Sequence, residues 1–249
     1  FATGLSQAAV IFLYLWHFLG PKGSIKFTKF QFDVSTIFRQ IRNGMSSGVT
    51  EFSGGIIIFF FNQAILRFIS EDALVSYTII SYVNTIVVMS MTGIAQGSQP
   101  LISYYFGKGE PKKYRKLLKY GILSAAVFSV VVTAGCYAGA SGIVGIFLDG
   151  ENPALSVYSI KVFRIFILSF LLAGYNVVIG GYFASIEKAG FATFISLTRS
   201  LIALVGCMML LIAVLGGEGI WWSPLMAEAV CLVFSLLMLK RSFAKQRKN

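Results

Sequence analysis

The sequence predicts an all-α, polytopic membrane protein, and three observations support that prediction. Hydrophobic residues make up 56% of the 249 residues and charged residues only 12%, a composition too apolar for a soluble globular domain. The apolar residues form seven long runs, each near or above the ~20 residues that a helix needs to cross the hydrocarbon core. Lys and Arg are concentrated in alternate connections between those runs.

The predicted elements follow the apolar runs in order along the chain. The first run is followed by a long connection, whereas the next six are joined by short ones, so consecutive helices should be antiparallel neighbours. The runs are 1–19, 44–69, 73–106, 117–148, 154–184, 190–215 and 220–239. We therefore divide the chain into a transmembrane span (1–19), a cytoplasmic amphipathic linker (20–43), a six-helix lobe (44–240) and a basic tail (241–249).

Two of these elements have features of their own. In the linker, Asp33 is placed to cap a short helix with apolar residues on one side and Arg39 and Arg42 on the other, a pattern that predicts a helix lying on the inner membrane surface. The run 73–106 is too long for a perpendicular crossing, and Pro100 near its end is the predicted bend.

The basic residues predict the orientation of the spans. Five Lys or Arg lie in 20–43, six in 107–119, one in 185–189 and five at the C-terminal end, while the other connections have none. The positive-inside bias places these four segments, including the C-terminus, in the cytoplasm. Nearly all of the net charge of +11 therefore lies in predicted cytoplasmic segments, where it attracts anionic lipid headgroups. We expect the lipid bilayer, and no nucleic acid, as a partner.

No pattern in the spans indicates an enzyme. The single histidine, His17, and the three cysteines lie inside apolar runs without metal-ligand spacing, and no Ser/His/Asp arrangement accompanies them. We expect no catalytic site, no metal site and no cofactor.

A charged carboxyl within the hydrocarbon core costs free energy, so its presence there indicates a function or a bonding partner. Glu51 lies about two turns into the second run. On a helix it shares one face with small and polar residues, namely Gly44, Ser47, Gly48, Gly54, Gly55, Ile58 and Asn62. Such a carboxyl could take and release a proton or hold Na⁺. The alternative is a structural hydrogen bond from a protonated Glu51.

Other polar residues also lie within the spans. Asn84 and Gln99 belong to one stripe of the third run, and Asn176 lies in the fifth. Their amides could coordinate a cation or a substrate, or they could hold helices together. Arg199 and Glu228 lie deep in the last two runs, where they could pair with each other or with Glu51. A structural ion pair is the interpretation we favour.

Three stretches resemble the C-terminal half of a multidrug and toxic compound extrusion (MATE) transporter of the bacterial multidrug-export branch. They are Gly-Ile-Ala-Gln-Gly-Ser-Gln-Pro-Leu-Ile-Ser-Tyr-Tyr-Phe-Gly (93–107), Ala-Gly-Tyr-Asn-Val-Val-Ile-Gly-Gly-Tyr-Phe (173–183) and Thr-Phe-Ile-Ser-Leu-Thr-Arg-Ser (193–200). Glu228 and Glu51 also fit this pattern, Glu51 lying in what would be the seventh span of the family. The resemblance covers almost the whole chain.

The resemblance implies twelve spans in two six-helix lobes, with 1–19 as span six, 20–43 as the inter-lobe link and 44–240 as the C-terminal lobe. It also implies export of cationic, often aromatic compounds across the bacterial inner membrane in exchange for H⁺ or Na⁺. Glu51 matches the seventh-span acid and is the expected coupling residue. Some Na⁺-coupled members have a second acid on span ten; this chain has none there, and Asn176 is the weaker candidate.

We expect alternating access about a cavity that holds the cationic small molecule, lined by Asn62, Asn84, Gln99, Tyr104 and Tyr175. Because the chain begins at Phe1 inside an apolar run, we also expect a missing N-terminal six-helix lobe and no activity of this lobe alone. Two alternatives stay open. One is a lipid-linked oligosaccharide flippase of the same superfamily, and the other is a membrane fragment that does not transport.

Overall fold

The structure is a computed structural model that describes residues 2–19, 33–148 and 152–248. Its contacts divide the chain into two units, 1–39 and 40–249. The first unit contains helix α1 (Ala2–Leu19) and the first residues of α2 (Val34–Phe68). The predicted linker residues 20–32 lie outside the described residues, and the domain boundaries stay a prediction.

The second unit consists of helices joined by short turns. Two of the connections continue the helical path with a changed pitch: a 3₁₀ turn (Ile167–Ser169) and a π-helical turn (Thr198–Ile202). After α2 the helices are α3 (Ala73–Gly107), α4 (Pro111–Ala138), α5 (Ala140–Phe147), α6 (Pro153–Phe166), α7 (Phe170–Ser185), α8 (Ala189–Leu197), α9 (Ala203–Leu215) and α10 (Gly219–Lys248).

Five segments of the described chain are long and apolar enough to cross a membrane. They are Ser47–Phe68, Ala73–Gly107, Pro111–Ala138, Pro153–Ser185 and Ala189–Ala244. The apolar part of α1, Gly4–Phe18, is shorter than these, so its role as a span stays a prediction. The all-α, polytopic fold class is confirmed.

The last of these segments, Ala189–Ala244, folds back on itself. The chain reverses at Gly216, whose φ of +62° lies in the left-handed region that favours glycine. On either side of the reversal α9 and α10 lie so close that a Cβ on Gly219 would be 2.3 Å from the Leu211 carbonyl oxygen. Further away, the Phe194 and Phe234 rings are 6.0 Å apart. The segment is therefore an antiparallel hairpin with two crossings.

The core of the second unit has two hydrophobic clusters, which succeed each other along the helices. In α3 the members of the first cluster end at Met91, and those of the second begin at Ala95. In α7 the change falls between Ala173 and Val178. A layer between the clusters is therefore left for residues that are not part of either apolar core.

Small and hydroxyl-bearing residues hold the helices together. Ser76 on α3 and Ser159 on α6 are buried and hydrogen-bonded at 2.8 Å. A Cβ on Gly174 of α7 would lie 2.9 Å from the Ser129 hydroxyl oxygen of α4, so only glycine allows this approach. Without a hydrophobic driving force between helices in lipid, such close contacts and interhelical hydrogen bonds supply much of the association energy.

The linker helix was expected to be short and separate, and in that respect the prediction was wrong. Val34–Phe68 is one helix, because no proline interrupts this stretch and glycines alone do not end a helix. The predicted cap is present: Asp33 Oδ1 accepts from Ser35 N at 3.0 Å and Oδ2 from Thr36 N at 3.2 Å. The hydrogen bond that the Thr36 hydroxyl donates lowers the pKa of Asp33.

One other run differs in detail from the prediction. The run 117–148 is divided at Gly139, where α4 ends and α5 begins. The run 73–106 agrees with α3, which continues through Pro100 to Gly107, and the bend at Pro100 stays a prediction. At the end of α3 the Ser103 hydroxyl donates to the Ser185 carbonyl at 3.1 Å, so the helix ends that precede Lys108 and Lys188 lie side by side.

Candidate functional site

A polar cluster occupies the layer between the two hydrophobic clusters. Asn176 from α7, Arg199 from the π-helical turn and Glu228 from α10 meet there. Their helices are otherwise apolar in this region, so each of these side chains must find its partners among the others. The three elements that form the cluster are thereby tied to one another.

Glu228 is the centre of the cluster. Arg199 Nε donates to Glu228 Oε1 at 2.7 Å, and Asn176 Nδ2 donates to Glu228 Oε2 at the same distance. The Asn176 amide also donates to the Glu228 backbone carbonyl at 2.9 Å. Both carboxylate oxygens therefore have a donor, one charged and one neutral.

The Asn176 amide is itself held in one orientation. Its Oδ1 accepts a hydrogen bond from the Ser235 hydroxyl at 3.0 Å, and the side chain is only 1% exposed. Since the amide oxygen is occupied by Ser235, the NH₂ group must face Glu228. Ser235 thus fixes, through Asn176, the direction from which the second carboxylate oxygen is bound.

The π-helical turn determines where the guanidinium lies. The Ala203 N–H donates to the Thr198 carbonyl, five residues earlier, instead of the usual four. Such wide turns interrupt α-helices at functional sites more often than elsewhere. Here the turn displaces Arg199 from the register of α8 and directs it toward Glu228 on the opposing α10.

A cavity of about 230 Å³ opens beside the ion pair. It lies between α2, α3, α6–α7, the π-helical turn and α10, and both Arg199 and Glu228 face it. Among the described residues that line it, Glu228 is the only carboxylate and Arg199 the only basic residue. Its other polar lining residues are Thr50, Tyr77, Ser81, Asn84, Ser169 and Ser200.

Aromatic rings form one wall of the cavity. Phe61 and Tyr77 are stacked with their ring centroids 4.8 Å apart, and Phe166 meets Phe61 edge-on at 6.4 Å. Phe170 completes the wall. The lining of the cavity therefore combines aromatic side chains with the carboxylate of Glu228, two kinds of group that attract an organic cation.

Glu51, the expected coupling residue, lies outside this cavity. Its side chain is exposed on α2 and has no hydrogen-bond or ion-pair partner within the described part of the chain. The cavity is instead lined by the preceding residue, Thr50, and by Gly54 and Ile57. The face of α2 that turns inward is thus rotated by one residue from the predicted stripe.

The other predicted cavity residues are dispersed. Asn84 lines the cavity, whereas Asn62 is half-buried elsewhere on α2. Gln99 packs against Gly181, where a Cβ would lie 3.0 Å from the Gln99 amide nitrogen. Tyr104 is 56% exposed, with the Lys108 ammonium 4.5 Å above its ring. Tyr175 is half-buried and does not line the cavity.

Sequence reasoning missed the aromatic wall. Phe166 and Phe170 are four residues apart in a stretch that also contains Phe163, Arg164 and Ser169, and Phe61 is the last of three consecutive phenylalanines. The spacing of Phe166 and Phe170 is the one signal that could have indicated a shared face. For metal binding, the described residues contain no group of three or more His, Cys, Asp or Glu side chains.

The chain is similar in sequence to known proteins. The MatE family model matches residues 47–209. Multidrug export protein MepA of Staphylococcus haemolyticus is 27% identical over 148 residues, which are 59% of this chain and 32% of that protein. MepA of Staphylococcus aureus (strain NCTC 8325) is 25% identical over 151 residues, with the same coverage.

Solved structures of similar fold cover nearly the whole chain. A multidrug resistance MATE family transporter of the MOP superfamily, in an outward-facing conformation, superposes with a TM-score of 0.86 at 18% identity, over 96% of this chain and 54% of its own. A MOP superfamily transporter from Pyrococcus furiosus gives 0.88 with the same identity and coverage. At such identities the likeness shows the fold alone, and the chain spans about half the length of these neighbours.

Proposed function

The chain belongs to the MatE family, and on that basis we propose that it forms one lobe of a secondary active exporter of cationic, often aromatic compounds. In this proposal export is coupled to the entry of H⁺ or Na⁺, and the two lobes of the whole protein alternate between inward-open and outward-open states. The missing N-terminal six-helix lobe supplies the other half of the central cavity.

The observation that supports this proposal most strongly is the position of Glu228, whose paired carboxylate faces the cavity. A cationic substrate and the Arg199 guanidinium compete for the same carboxylate. Protonation of Glu228, or Na⁺ bound at its oxygens, would lower its attraction for the substrate and leave the Arg199 charge uncompensated. Coupling ion and substrate cation would then exclude each other, which is the requirement for exchange.

The aromatic wall supports the choice of substrate class. In this proposal an aromatic cation contacts the aromatic lining residues while its charge is attracted by Glu228, and each such contact contributes about 0.5–2 kcal/mol. The cavity volume of 230 Å³ is below the ~300–1,000 Å³ of sites that hold drug-sized molecules. A drug therefore needs space contributed from outside this lobe, and we expect the lobe alone to be inactive.

Glu51 has a separate place in the proposal. Its exposure on α2 leaves it accessible to an ion or to the opposing lobe, and it follows the cavity residue Thr50 directly. Asn176 takes part through its hydrogen bonds to Glu228.

A single charge that moves across 100 mV gains about 2.3 kcal/mol, equivalent to a concentration ratio of about fiftyfold, so one coupling carboxylate is sufficient for useful export.

We further propose the bacterial inner membrane as the location, with the C-terminus in the cytoplasm. The alternation of basic and uncharged connections in the sequence supports this orientation. In the structure, Lys188 and Ser242 are joined at 2.6 Å, so the end of α10 lies beside another connection that is predicted to be cytoplasmic.

A flippase for pyrophosphate-linked lipids is the less favoured alternative. Such a substrate requires several uncompensated cations in the cavity. The described lining of this cavity contains one, Arg199, which Glu228 already neutralises.

Ethidium efflux from preloaded, efflux-deficient bacteria tests the proposed function. The full-length protein should export ethidium only when a proton or sodium gradient is present, and Glu228→Gln should abolish export. Glu218→Gln is the matched control, because Glu218 is an exposed glutamate in the turn between α9 and α10 and pairs with exposed Lys161. Wild-type export by Glu228→Gln would contradict the proposal.

A further inference from the structure

A second and larger cavity lies at the end of the lobe that carries the basic connections. Its volume is about 540 Å³. Three segments form it: the start of α2 with Arg42, the connection from α7 to α8 with Glu187 and Lys188, and the end of α10 with Arg241 and Ser242. The sequence places all three segments on the cytoplasmic side.

The charge of this cavity is strongly positive. Among the described residues that line it, Arg42, Lys188 and Arg241 are basic and Glu187 is the one carboxylate, which leaves two positive charges in excess. Arg42 and Arg241 are exposed, so water screens the repulsion between the basic groups, while their combined positive potential attracts anions. Two guanidinium groups and one ammonium are also the donors that bind phosphate oxygens best.

The site is built by a defined contact rather than by loose surface side chains. The Lys188 ammonium donates to the Ser242 hydroxyl at 2.6 Å, and Ser242 is only 2% exposed. This bond holds the ammonium in place and joins the α7–α8 connection to α10. Arg42 and Arg241 line the same cavity and are exposed.

The backbone at the start of α8 adds to the positive potential. Ala189 and Gly190 line the cavity, and the first N–H groups of a helix have no partner within it and attract anions. A Cβ on Gly190 would meet nothing within 4 Å, so a ligand can approach the backbone there. Phe191 supplies an apolar wall.

We propose that this basic cavity, formed by Arg42, Lys188 and Arg241, binds the phosphate headgroup of an anionic phospholipid. Basic pockets between transmembrane helices on the cytoplasmic side are suited to such headgroups. The cavity lies at the ends of apolar helices, where the headgroup layer of a bilayer would be, and its Phe191 wall can contact the acyl region. A soluble phosphate compound offers the same anionic oxygens, but it has no apolar part to place against that wall.

Binding of short-chain lipids to the full-length protein in an uncharged detergent tests this proposal. Dihexanoyl phosphatidylglycerol should bind at least tenfold more tightly than dihexanoyl phosphatidylcholine or inorganic phosphate. Arg241→Gln should weaken phosphatidylglycerol binding about fivefold, the effect expected for one basic group. Lys240→Gln is the matched control: it removes a neighbouring charge that does not line the cavity and should change binding less than twofold.

A gain of affinity separates the proposal from damage to the fold. Glu187→Gln removes the only carboxylate among the described lining residues and should tighten phosphatidylglycerol binding several-fold, which a misfolded protein could not show. Equal losses from Arg241→Gln and Lys240→Gln would overturn the site. If inorganic phosphate bound as tightly as phosphatidylglycerol, the assignment to a lipid headgroup would be overturned.

Discussion

Arg199 Nε lies 2.7 Å from Glu228 Oε1 across the α9–α10 hairpin, and the two side chains are only 17% and 12% exposed. Two charges withdrawn from water in this way gain less from each other than their distance suggests, because desolvation offsets most of the attraction. Removing only one of the two side chains costs more free energy, because it leaves the other charge buried and unpaired.

We therefore expect the single variants to be much less stable than the double variant. Arg199→Gln and Glu228→Gln should each lower the free energy of unfolding by about 3 kcal/mol or more, and the double variant should lose less than the sum of the two. Thermal and denaturant unfolding of the purified protein in detergent measures these values. Additive losses would show that the two side chains do not interact.

Asn176 should be essential for the same site without itself carrying a charge. In Asn176→Leu, Glu228 Oε2 and the Ser235 hydroxyl both lose their hydrogen bond to Asn176, at a cost of about 1–3 kcal/mol for a group left buried without a partner. Unfolding of the detergent-purified protein gives the loss, and ethidium efflux should fall with it. Asn62→Leu is the matched control, because Asn62 is half-buried and lies outside the cavity. Equal effects of the two substitutions would contradict the assignment.

Glu51→Gln separates a coupling role from a structural one. Because Glu51 is exposed and has no partner among the described residues, its neutralisation should leave insertion and the unfolding temperature unchanged. If Glu51 binds the coupling ion, ethidium export by the full-length protein should nevertheless be lost. Membrane fractionation, thermal unfolding and efflux are measured on the same preparation. Efflux at the wild-type rate would remove Glu51 from the coupling mechanism.

The reversal between α9 and α10 should not tolerate a side chain at Gly219. A Cβ there would lie 2.3 Å from the Leu211 carbonyl oxygen, a backbone atom that cannot move aside without opening the hairpin. Gly219→Ala should therefore lower the unfolding temperature strongly. Gly206→Ala, on α9 where a Cβ meets nothing within 4 Å, should be neutral or slightly stabilising, because alanine favours the helix. Similar melting temperatures for the two variants would argue against this packing.

The helices could be predicted from the sequence because lipid makes hydrophobicity and length decisive. The predicted run 73–106 agrees with α3 (Ala73–Gly107), and 154–184 with the stretch Pro153–Ser185. The division of the fourth run at Gly139 could not be predicted, because glycine is common within membrane helices and only packing decides whether one of them ends a helix.

The site was only partly predictable, for a related reason. Arg199 and Glu228 stood out as charges in apolar runs, and such charges need partners. The sequence did not predict which face of α2 lines the cavity. Turning the helix by one residue position brings Thr50 to the cavity in place of Glu51 and leaves the apolar content of the helix unchanged. The π-helical turn at Arg199 has no signature in the local sequence, and the partner of Arg199 in the structure, Glu228, lies on another helix.

The hairpin of α9 and α10 also determines which parts of the chain can be reached from the same compartment. Because the chain reverses at Gly216, the start of α8 and the end of α10 lie on one side, as the contact between Lys188 and Ser242 shows. Membrane-impermeant reagents added on one side would therefore reach both an epitope inserted at Glu187 and a fluorescent tag attached beyond α10. A label at Gly217 would respond only to reagents added on the opposite side.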